Sequence, residues 1–311
     1  MMTNVLITGG TGLIGSRLSG MLMERGYRVI ILTRNKKLIQ QRKSPETAYA
    51  FWNPDRNTID IAAVQEADFI IHLAGENIAA KRWTPRQKSV IANSRIKGGQ
   101  LIVQTLRENA NQVKAIISAS AKDWYGDDSQ LTGGKKSYTE DGAPAPGFLG
   151  DTCKAWEESI APARELGKRL VWLRTGLVLS KDGGVLKSLM QPAKFGIAPI
   201  FGTGRQIQSW IHIDDICRMY IHALENETLN GVYNAVAPDA VNQKGLVTEL
   251  AKKMKGSFYI PVTVPAFVMK WMVGEMGTEL FKGNTLDTGK IRTTGFRFLF
   301  PSLEAALNDL L

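Results

Sequence analysis

The chain has 311 residues, of which 44% are hydrophobic and 22% charged, and this ordinary globular balance argues against long disordered segments. The length suits one large α/β domain or a domain with a smaller appendage. The net charge of +10 favours anionic partners. Because the basic residues are dispersed and no nucleic-acid-binding motif is present, we expect a phosphorylated cofactor or an acidic small molecule and no nucleic acid.

The cysteines, histidines and chain start exclude several classes of protein. Two cysteines, Cys153 and Cys217, cannot form a disulfide framework and show no CxxC spacing, which indicates a reducing, cytoplasmic compartment. The three histidines lack metal-ligand spacing, so we expect no metal site. The N-terminus shows no signal peptide, and no run of about 18 apolar residues occurs, so we expect no membrane partner.

The first two-thirds of the chain predicts strands alternating with helices. Helices are expected at 12–25, at 86–109 and from about Asp151 and Thr152 onward. The predicted strands are apolar throughout, which is typical of a parallel sheet covered on both faces. The fold class expected is therefore α/β, a doubly wound parallel Rossmann sheet. Its six strands are placed at 4–8, 28–33, 49–53, 67–75, 114–120 and 169–176.

The later chain is less regular and predicts a smaller second unit. One more strand is expected at 231–237, a helix at 243–254, and an apolar, Met-rich helix at 265–274. We therefore expect a cofactor-binding domain over 1–236 and a C-terminal α+β subdomain over 237–311 that caps the substrate.

The segment TGGTGLIG, residues 8–15, joins the first strand to the first helix and predicts a dinucleotide-binding loop. In its GxxGxxG pattern one glycine makes a tight turn, one lets the backbone approach a pyrophosphate, and one lets the helix pack on the sheet. The helix N-terminus then offers unpaired N–H groups and a partial positive charge to the phosphates. The loop residues expected to contact the cofactor are Gly9, Thr11, Gly12, Leu13, Ile14 and Gly15.

The end of the second strand predicts which nicotinamide cofactor is bound. An acidic residue there accepts from the ribose 2′-hydroxyl, whereas an arginine suits a 2′-phosphate. The sequence is LTRN, with Arg34 followed by Lys36 and Lys37 and no acid nearby. A guanidinium can bind phosphate with two parallel hydrogen bonds. We predict a preference for NADP(H), although Arg34 could also be a solvated loop charge.

Six segments resemble those of the extended short-chain dehydrogenase/reductases, and more narrowly the atypical "epimerase family" oxidoreductases whose C-terminal segment is a domain of unknown function. The resemblance covers nearly the whole chain and implies a Rossmann domain with a small substrate subdomain, but it identifies no substrate. The segments are TGGTGLIG (8–15), HLAGENI (72–78), KRWT (81–84), SASAKDWYG (118–126), LRTGLVLS (173–180) and SWIHIDD (209–215).

The resemblance also implies positions for further cofactor contacts. HLAG places Leu73, Ala74 and Gly75 beside the adenine ribose, and LRTGLVLS brings Arg174 past the nicotinamide. Ser118, at the end of the fifth strand, is a further expected contact. In WIHIDD, acid/base chemistry by His212 is possible, but a satisfied histidine near a helix cap is the better interpretation.

The usual catalytic pair of the parent superfamily is missing. There a Tyr transfers the proton, a Lys four residues later lowers its pKa, and a Ser or Thr orients the substrate. None of the seven tyrosines has a lysine four residues later. At the matching helix start Phe148 replaces the Tyr and Thr152 replaces the Lys, and we expect Asp151 or Thr152 simply to cap the helix.

Part of the catalytic set is still recognisable. Ser120 matches the superfamily's active-site Ser, and Tyr125 follows in a loop that could face the same crevice, so these two are the predicted catalytic residues. Lys122 could replace the missing cation or could be solvated. A further polar set could hold an anionic substrate or could equally be exposed surface: Glu76, Asn77, Lys81, Arg82 and Arg95.

Two functions remain open at this point. The first is an NADP(H)-dependent oxidoreductase or epimerase acting on a small polar or anionic molecule, with hydride transfer supplied by the cofactor. The second is a non-catalytic NADP(H)-binding sensor or regulatory protein on the same fold. The sequence predicts neither the substrate nor the oligomeric state.

Overall fold

A computed structural model describes residues 2–40, 44–134 and 136–311, apart from the side chains of 272 and 273. The strands in this part of the chain are β1 (Asn4–Thr8), β2 (Arg28–Thr33), β3 (Thr47–Asn53), β4 (Thr58–Ile59), β5 (Phe69–His72), β6 (Ala115–Ala121), β7 (Arg169–Thr175), β8 (Leu177–Leu179), β9 (Ile197–Phe201), β10 (Ile207–Gln208), β11 (Trp210–His212), β12 (Gly231–Ala235), β13 (Val241–Asn242) and β14 (Ile260–Val264). The helices are α1 (Leu13–Glu24), α2 (Lys36–Ile39), α3 (Ile61–Glu66), α4 (Pro85–Glu108), α5 (Phe148–Ile160), α6 (Gly184–Ala193), α7 (Ile213–Glu225), α8 (Gln243–Lys255), α9 (Ala266–Val273), α10 (Met276–Glu279), α11 (Gly289–Thr293) and α12 (Leu303–Leu310).

The central sheet has eight strands in the order β12-β7-β6-β5-β1-β2-β3-β4. Every neighbouring pair is parallel except β3 and β4, which are antiparallel. The predicted doubly wound Rossmann sheet is confirmed. The edge strand β4 was not predicted, because two residues are too short to carry a hydrophobic pattern. The strand order reverses between β1 and β5, and ligands of such sheets bind at the carboxyl ends beside this point.

The strands are apolar throughout because both faces of the sheet are covered. Val5 and Ile7 of β1 pack into the hydrophobic cluster that includes Leu18 of α1. Leu6, between them, points to the opposite face and packs into a second cluster with Ile102 of α4. This two-sided burial removes the apolar–polar alternation that a half-exposed strand would show.

Two predictions about helix caps have different outcomes. Helix α5 begins at Phe148, and its N-cap is Gly147 at φ +107°, a backbone conformation that favours glycine. The prediction that Asp151 or Thr152 caps this helix is therefore wrong: Asp151 lies in the first turn, and the Thr152 hydroxyl donates to the Phe148 carbonyl oxygen. For His212 the position at a helix cap is confirmed, since its ring Nδ1 caps α7 by accepting from the backbone N–H of Asp214 at 3.1 Å. Its buried Nε2 lies 3.3 Å from Oδ2 of Asp309 without a hydrogen bond, so the ring is not fully satisfied.

Short strand pairs outside the central sheet join segments of the later chain. β8 pairs with β11 and β9 with β14 in parallel, and β10 pairs with β13 antiparallel. The last two pairs cross the expected boundary between 236 and 237, which stays a prediction. No helix in 2–40, 44–134 or 136–311 combines the length and the apolar character that crossing a membrane requires.

Candidate functional site: a dinucleotide cleft and a buried polar network

The glycine loop lies at the switch point, where it is pressed against the end of β5. Gly9 has φ +71°, and a Cβ added there would lie 2.9 Å from the backbone nitrogen of Ala74. A Cβ at Gly15 would lie 2.3 Å from the Gly9 carbonyl oxygen. Both distances are shorter than real Cβ contacts, so only glycine allows this loop, the start of α1 and residues 73–74 to approach so closely.

The N-terminus of α1 is left without a side-chain cap. Its N-cap residue is Gly12, and no acidic residue lies in the first turn. The backbone N–H groups of Leu13, Ile14 and Gly15 begin the helix and therefore have no intrahelical acceptor. Thr11, beside them, is exposed. These donors and the helix dipole suit an anionic group such as a pyrophosphate.

A buried threonine–histidine pair fixes β5 against β1 beneath this loop. The Thr8 hydroxyl oxygen accepts from the backbone N–H groups of Leu73 and Ala74, both at 3.1 Å, and lies 2.7 Å from Nδ1 of His72. With two N–H groups donating to it, the hydroxyl donates its own proton to Nδ1, which places the ring proton on Nε2. Thr8 and His72 thus hold the predicted cofactor contacts Leu73 and Ala74 in place.

Burial keeps His72 neutral. Its side chain is fully buried, and this burial lowers its pKa to about 4. Trp52 packs edge-on against the imidazole, with ring centroids 6.3 Å apart. A neutral ring is what the hydrogen bond from Thr8 requires, because a protonated Nδ1 could not accept it.

Arg34 follows β2 directly and is exposed, as the prediction of phosphate recognition requires. Within the described part of the chain, its guanidinium has no hydrogen-bond or ion-pair partner. Asn35 caps α2 by accepting from the backbone N–H of Lys37 at 3.0 Å, so Lys36 and Lys37 start a short helix beside Arg34.

Arg95 holds the backbone of Gly75 and Glu76, which follow β5. A Cβ at Gly75 would lie 3.0 Å from Cζ of Arg95, so the chain passes close to the guanidinium. Arg95 donates to the carbonyl oxygens of Glu76 and Ile91, and it stacks 5.0 Å from the Trp156 ring centroid. The guanidinium of Arg95 therefore fixes the backbone just after β5. Asn77, Lys81 and Arg82 lie further along the same loop.

A buried ion pair lies behind the ends of β6 and β7. The Glu157 carboxylate accepts from Nε and Nη2 of Arg174 at 2.9 and 3.0 Å, and from the Ser120 hydroxyl at 2.6 Å. Burial lowers the pKa of Arg174, but the hydrogen bonds and charge of Glu157 outweigh it and hold this pKa above its ordinary value. Arg174 stays charged, and the pair is a fixed dipole inside the protein.

Tyr125 extends this network. Its hydroxyl accepts from Nη1 of Arg174 and donates to Oδ1 of Asn234, both at 2.8 Å, and the side chain is buried. The Asn234 amide donates in turn to two backbone carbonyl oxygens. Burial raises the pKa of Tyr125 to about 12, against the opposing effect of Arg174. At neutral pH the phenol is protonated, and its proton is directed at Asn234.

The predicted site residues thus fall into two groups. The glycine loop, Leu73 and Ala74 meet at the switch point, which we call the cofactor cleft. In the buried network Ser120 and Arg174 bond to Glu157, and Tyr125 bonds to Arg174. Arg174, expected beside the nicotinamide, is 2% exposed and directs its guanidinium into this network. The Ser118 side chain is buried and donates to the Ala119 carbonyl oxygen at 3.1 Å. Lys122 lies 3.3 Å from Oδ1 of Asn284 and 3.6 Å from Asp123.

Sequence reasoning missed Glu157 and the role of His72. A signal for Glu157 existed: the residue lies four positions after Cys153 on the apolar face of α5, between Trp156 and Ile160, all of them buried. A carboxylate at such a position requires a buried partner. The motifs gave no comparable signal for His72, whose partner Thr8 precedes it by 64 residues.

The start of α5 has an architectural use in place of the missing catalytic pair. The Phe148 ring packs edge-on against Trp83 at 5.0 Å between centroids. Lys154, the first lysine of this helix, is exposed and lies 3.9 Å from Glu158 one turn later. Neither residue reaches the network around Glu157.

Comparison with known proteins agrees with this architecture. Residues 5–235 match the model of the NAD dependent epimerase/dehydratase family, and residues 264–310 match a domain of unknown function, DUF1731. The epimerase family protein SH2119 of Staphylococcus haemolyticus is 33% identical over 100% of this chain and 99% of its own. YfhF of Bacillus subtilis, also an epimerase family protein, is 33% identical over 99% of this chain and 98% of its own.

A solved structure is similar over the full length. The human epimerase family protein SDR39U1 (isoform 2), crystallised with NADPH, superposes with a TM-score of 0.83 at 26% identity and covers 99% of both chains. The predicted resemblance to the atypical epimerase branch, with its C-terminal domain of unknown function, is confirmed. This chain belongs to the NAD dependent epimerase/dehydratase family.

Proposed function

We propose that the protein is an NADP(H)-dependent oxidoreductase or epimerase that acts on a small polar or anionic molecule. The observation that carries the proposal is the uncapped N-terminus of α1 beside a loop where a Cβ at Gly15 would lie 2.3 Å from backbone oxygen. A phosphate group at this position would supply the acceptors that the uncapped N–H groups lack.

The choice of NADP(H) over NAD(H) depends on Arg34. Its guanidinium is exposed at the end of β2, with no partner in the described residues and two lysines close behind it in sequence. In a Rossmann fold this position adjoins the adenine ribose, where a 2′-phosphate needs a cation. The similar human protein SDR39U1 was solved with NADPH, which supports this choice.

The protein's own groups bind and orient, while the nicotinamide supplies the hydride. Thr8 and His72 hold residues 73–74 against the cofactor loop. Ser120 and Tyr125 are the proposed proton-handling groups, and the Glu157–Arg174 pair orients both hydroxyls. Tyr125 can donate to a substrate oxygen only when its hydroxyl turns away from Asn234, so a bound substrate must compete with that hydrogen bond.

Dissociation constants for NADPH and NADH, measured with the wild type, Arg34→Ala and Arg56→Ala, test the cofactor assignment. Arg56 is an exposed arginine in the turn after β3 and serves as the matched control. We expect Arg34→Ala to weaken NADPH binding by about ten- to a hundredfold, because it removes one charge-assisted hydrogen bond worth about 1.5–3 kcal/mol. NADH binding should be unchanged, since NADH lacks the 2′-phosphate. Equal preference for the two cofactors in both the wild type and Arg34→Ala would contradict the assignment.

A second assay tests catalysis separately. NADPH oxidation is followed over a panel of carbonyl compounds, and NADP reduction over the matching alcohols, with polar and anionic members in both. Turnover of one class supports the enzyme. Tight NADPH binding without any turnover would contradict the catalytic part of the proposal and favour a sensor.

A further inference from the structure

The paired strands β9 and β14 carry an exposed apolar surface. We define the β9–β14 surface as Phe195, Ile197, Phe258, Ile260 and Val262. Ile197 and Ile260 are direct partners in the parallel register, and the Ile260 backbone N–H donates to the Gly196 carbonyl oxygen at 2.7 Å. A Cβ at Gly196 would lie 2.8 Å from the Phe258 carbonyl oxygen, so Phe195 and Phe258 flank the start of the two strands.

These side chains are exposed to an unusual degree. Phe195 is 83% exposed, Phe258 88% and Ile260 67%. The alternate residues of β9, Ala198 and Ile200, are buried in the core, whereas β14 is exposed on both faces from Ile260 to Thr263. An aromatic side chain has an area of about 150–250 Å². The two phenylalanines alone therefore leave about 300 Å² of apolar surface in water, which already reaches the range of about 300–600 Å² for the largest patch on a typical monomer.

Helix α9 continues the exposed apolar character after β14. It starts at Ala266, and its Phe267 and Trp271, one turn apart, are 75% and 78% exposed, whereas Met269 is buried. Helix α9 thus adds two exposed aromatic side chains, of the kind that enters a membrane interface, next to Lys270.

The two chain segments that carry this surface contain only basic charges, and Glu249 is the acidic residue that lies beside them. Residues 183–208, which contain β9, have three basic and no acidic residues, and residues 250–274, which contain β14 and α9, have four basic and no acidic residues. Lys194 is adjacent to Phe195, and Lys252 and Lys255 lie in the last turn of α8, close before Phe258; all three are exposed. These two segments contribute most of the chain's net charge of +10.

We propose that the β9–β14 surface docks peripherally on an anionic phospholipid bilayer. Aromatic side chains would enter the headgroup region while the lysines contact lipid phosphates. Apolar and electrostatic contacts would thus both contribute to binding, and neither alone would hold the protein on the bilayer. A second copy of this chain fits less well, because a two-fold contact would bring two positive rims together. Strand addition at the β14 edge is hindered by Pro261, which has no N–H to donate. This proposal departs from the expectation of no membrane partner, which was based on the lack of a long apolar run; a docking surface needs no such run.

Co-sedimentation of the full chain with large unilamellar vesicles tests the proposal. The vesicles contain either phosphatidylcholine alone or phosphatidylcholine with 30% phosphatidylglycerol. We expect binding to the phosphatidylglycerol vesicles, at least about tenfold weaker binding to phosphatidylcholine alone, and loss of most binding in 0.5 M salt. Failure to bind phosphatidylglycerol vesicles at low salt overturns the proposal.

Two double variants locate the surface. Phe195→Ser with Phe258→Ser should reduce vesicle binding by at least about tenfold, since both substitutions remove an aromatic side chain that the bilayer would bury. Ile61→Ser with Leu299→Ser removes two other exposed apolar side chains, 46% and 57% exposed, and should bind as the wild type does. Equal binding by the phenylalanine variant overturns the proposal.

Sedimentation velocity without lipid tests whether a second copy of this chain covers the surface instead. We expect the wild type and the phenylalanine variant to sediment with the same mass. A wild-type dimer that becomes a monomer in the phenylalanine variant would assign the surface to self-association and overturn membrane docking.

Discussion

The cofactor cleft and the network around Glu157 lie at the same edge of the same sheet but handle their polar groups in opposite ways. In the cleft, the backbone donors at the start of α1 and the side chain of Arg34 have no protein partner in the described residues. In the network, the oxygens of Glu157 and the hydroxyls of Ser120 and Tyr125 all bond within the protein. Unpaired donors indicate a place for a ligand, whereas the paired groups hold one another in place, and a substrate can reach Tyr125 only by replacing one of their hydrogen bonds.

The largest effect should come from breaking the network. Glu157→Gln leaves the buried Arg174 charge without its counter-charge, which should lower the free energy of unfolding by about 3–5 kcal/mol. Urea denaturation measures this loss. Glu158→Gln is the matched control on the same helix, since its side chain is 65% exposed, and it should change the free energy by less than about 0.5 kcal/mol. Similar losses in both variants would show that burial of Glu157 does not matter.

The cleft should respond in cofactor binding instead. Gly15→Ala forces a Cβ against the Gly9 carbonyl oxygen, which should displace the loop at a cost of about 1–3 kcal/mol and weaken NADPH binding by about ten- to a hundredfold. Gly20→Ala lies in the same helix with open space around its Cβ, and it should leave NADPH affinity unchanged while stabilising α1. Titration by cofactor fluorescence gives both constants. Unaltered NADPH affinity in Gly15→Ala would mean that the loop is not the phosphate site.

His72, beneath the glycine loop, makes the stability of the protein depend on pH. Its pKa of about 4 in the folded protein lies below the ordinary value of 6.5, so the unfolded chain takes up the proton first as the pH falls. The stability from this group is fully present above pH 6.5 and is lost between 6.5 and about 4, at about 1.4 kcal/mol per pH unit. The free energies of unfolding of the wild type and of His72→Gln are measured across this range. As the pH falls, the difference between them should shrink with that slope. Parallel curves would mean that His72 is not neutral and buried.

The smallest effect is expected at Tyr125. Tyr125→Phe removes one hydroxyl that bonds Arg174 and Asn234, which should cost about 1 kcal/mol in thermal or urea unfolding and leave NADPH affinity unchanged. Tyr49→Phe, at a tyrosine with no hydroxyl partner in the described residues, should cost less. If a substrate is found, full turnover by Tyr125→Phe would remove Tyr125 from the mechanism and leave it a structural residue.

The cofactor cleft and the Glu157 network also differ in how well the sequence predicts them. The sheet and the glycine loop are local patterns, since apolar runs and GxxGxxG have their physical reasons within a few residues. The Glu157 network is not local: it joins residues from β6, α5 and β7, and its partners become visible only when the strands are paired. The cap of α5 was missed for another reason, because Gly147 takes a positive φ that no side chain in the sequence signals.

Hydrogen exchange with and without NADPH tests the central claim most directly, because it reports on the backbone donors themselves. On saturation with NADPH, we predict slower exchange for amides in residues 9–16 and 73–75, and unchanged exchange for residues 169–174 of β7, whose polar groups are already paired. Unchanged exchange in residues 9–16 at saturating NADPH would contradict the account, because the cofactor would then bind elsewhere or not at all.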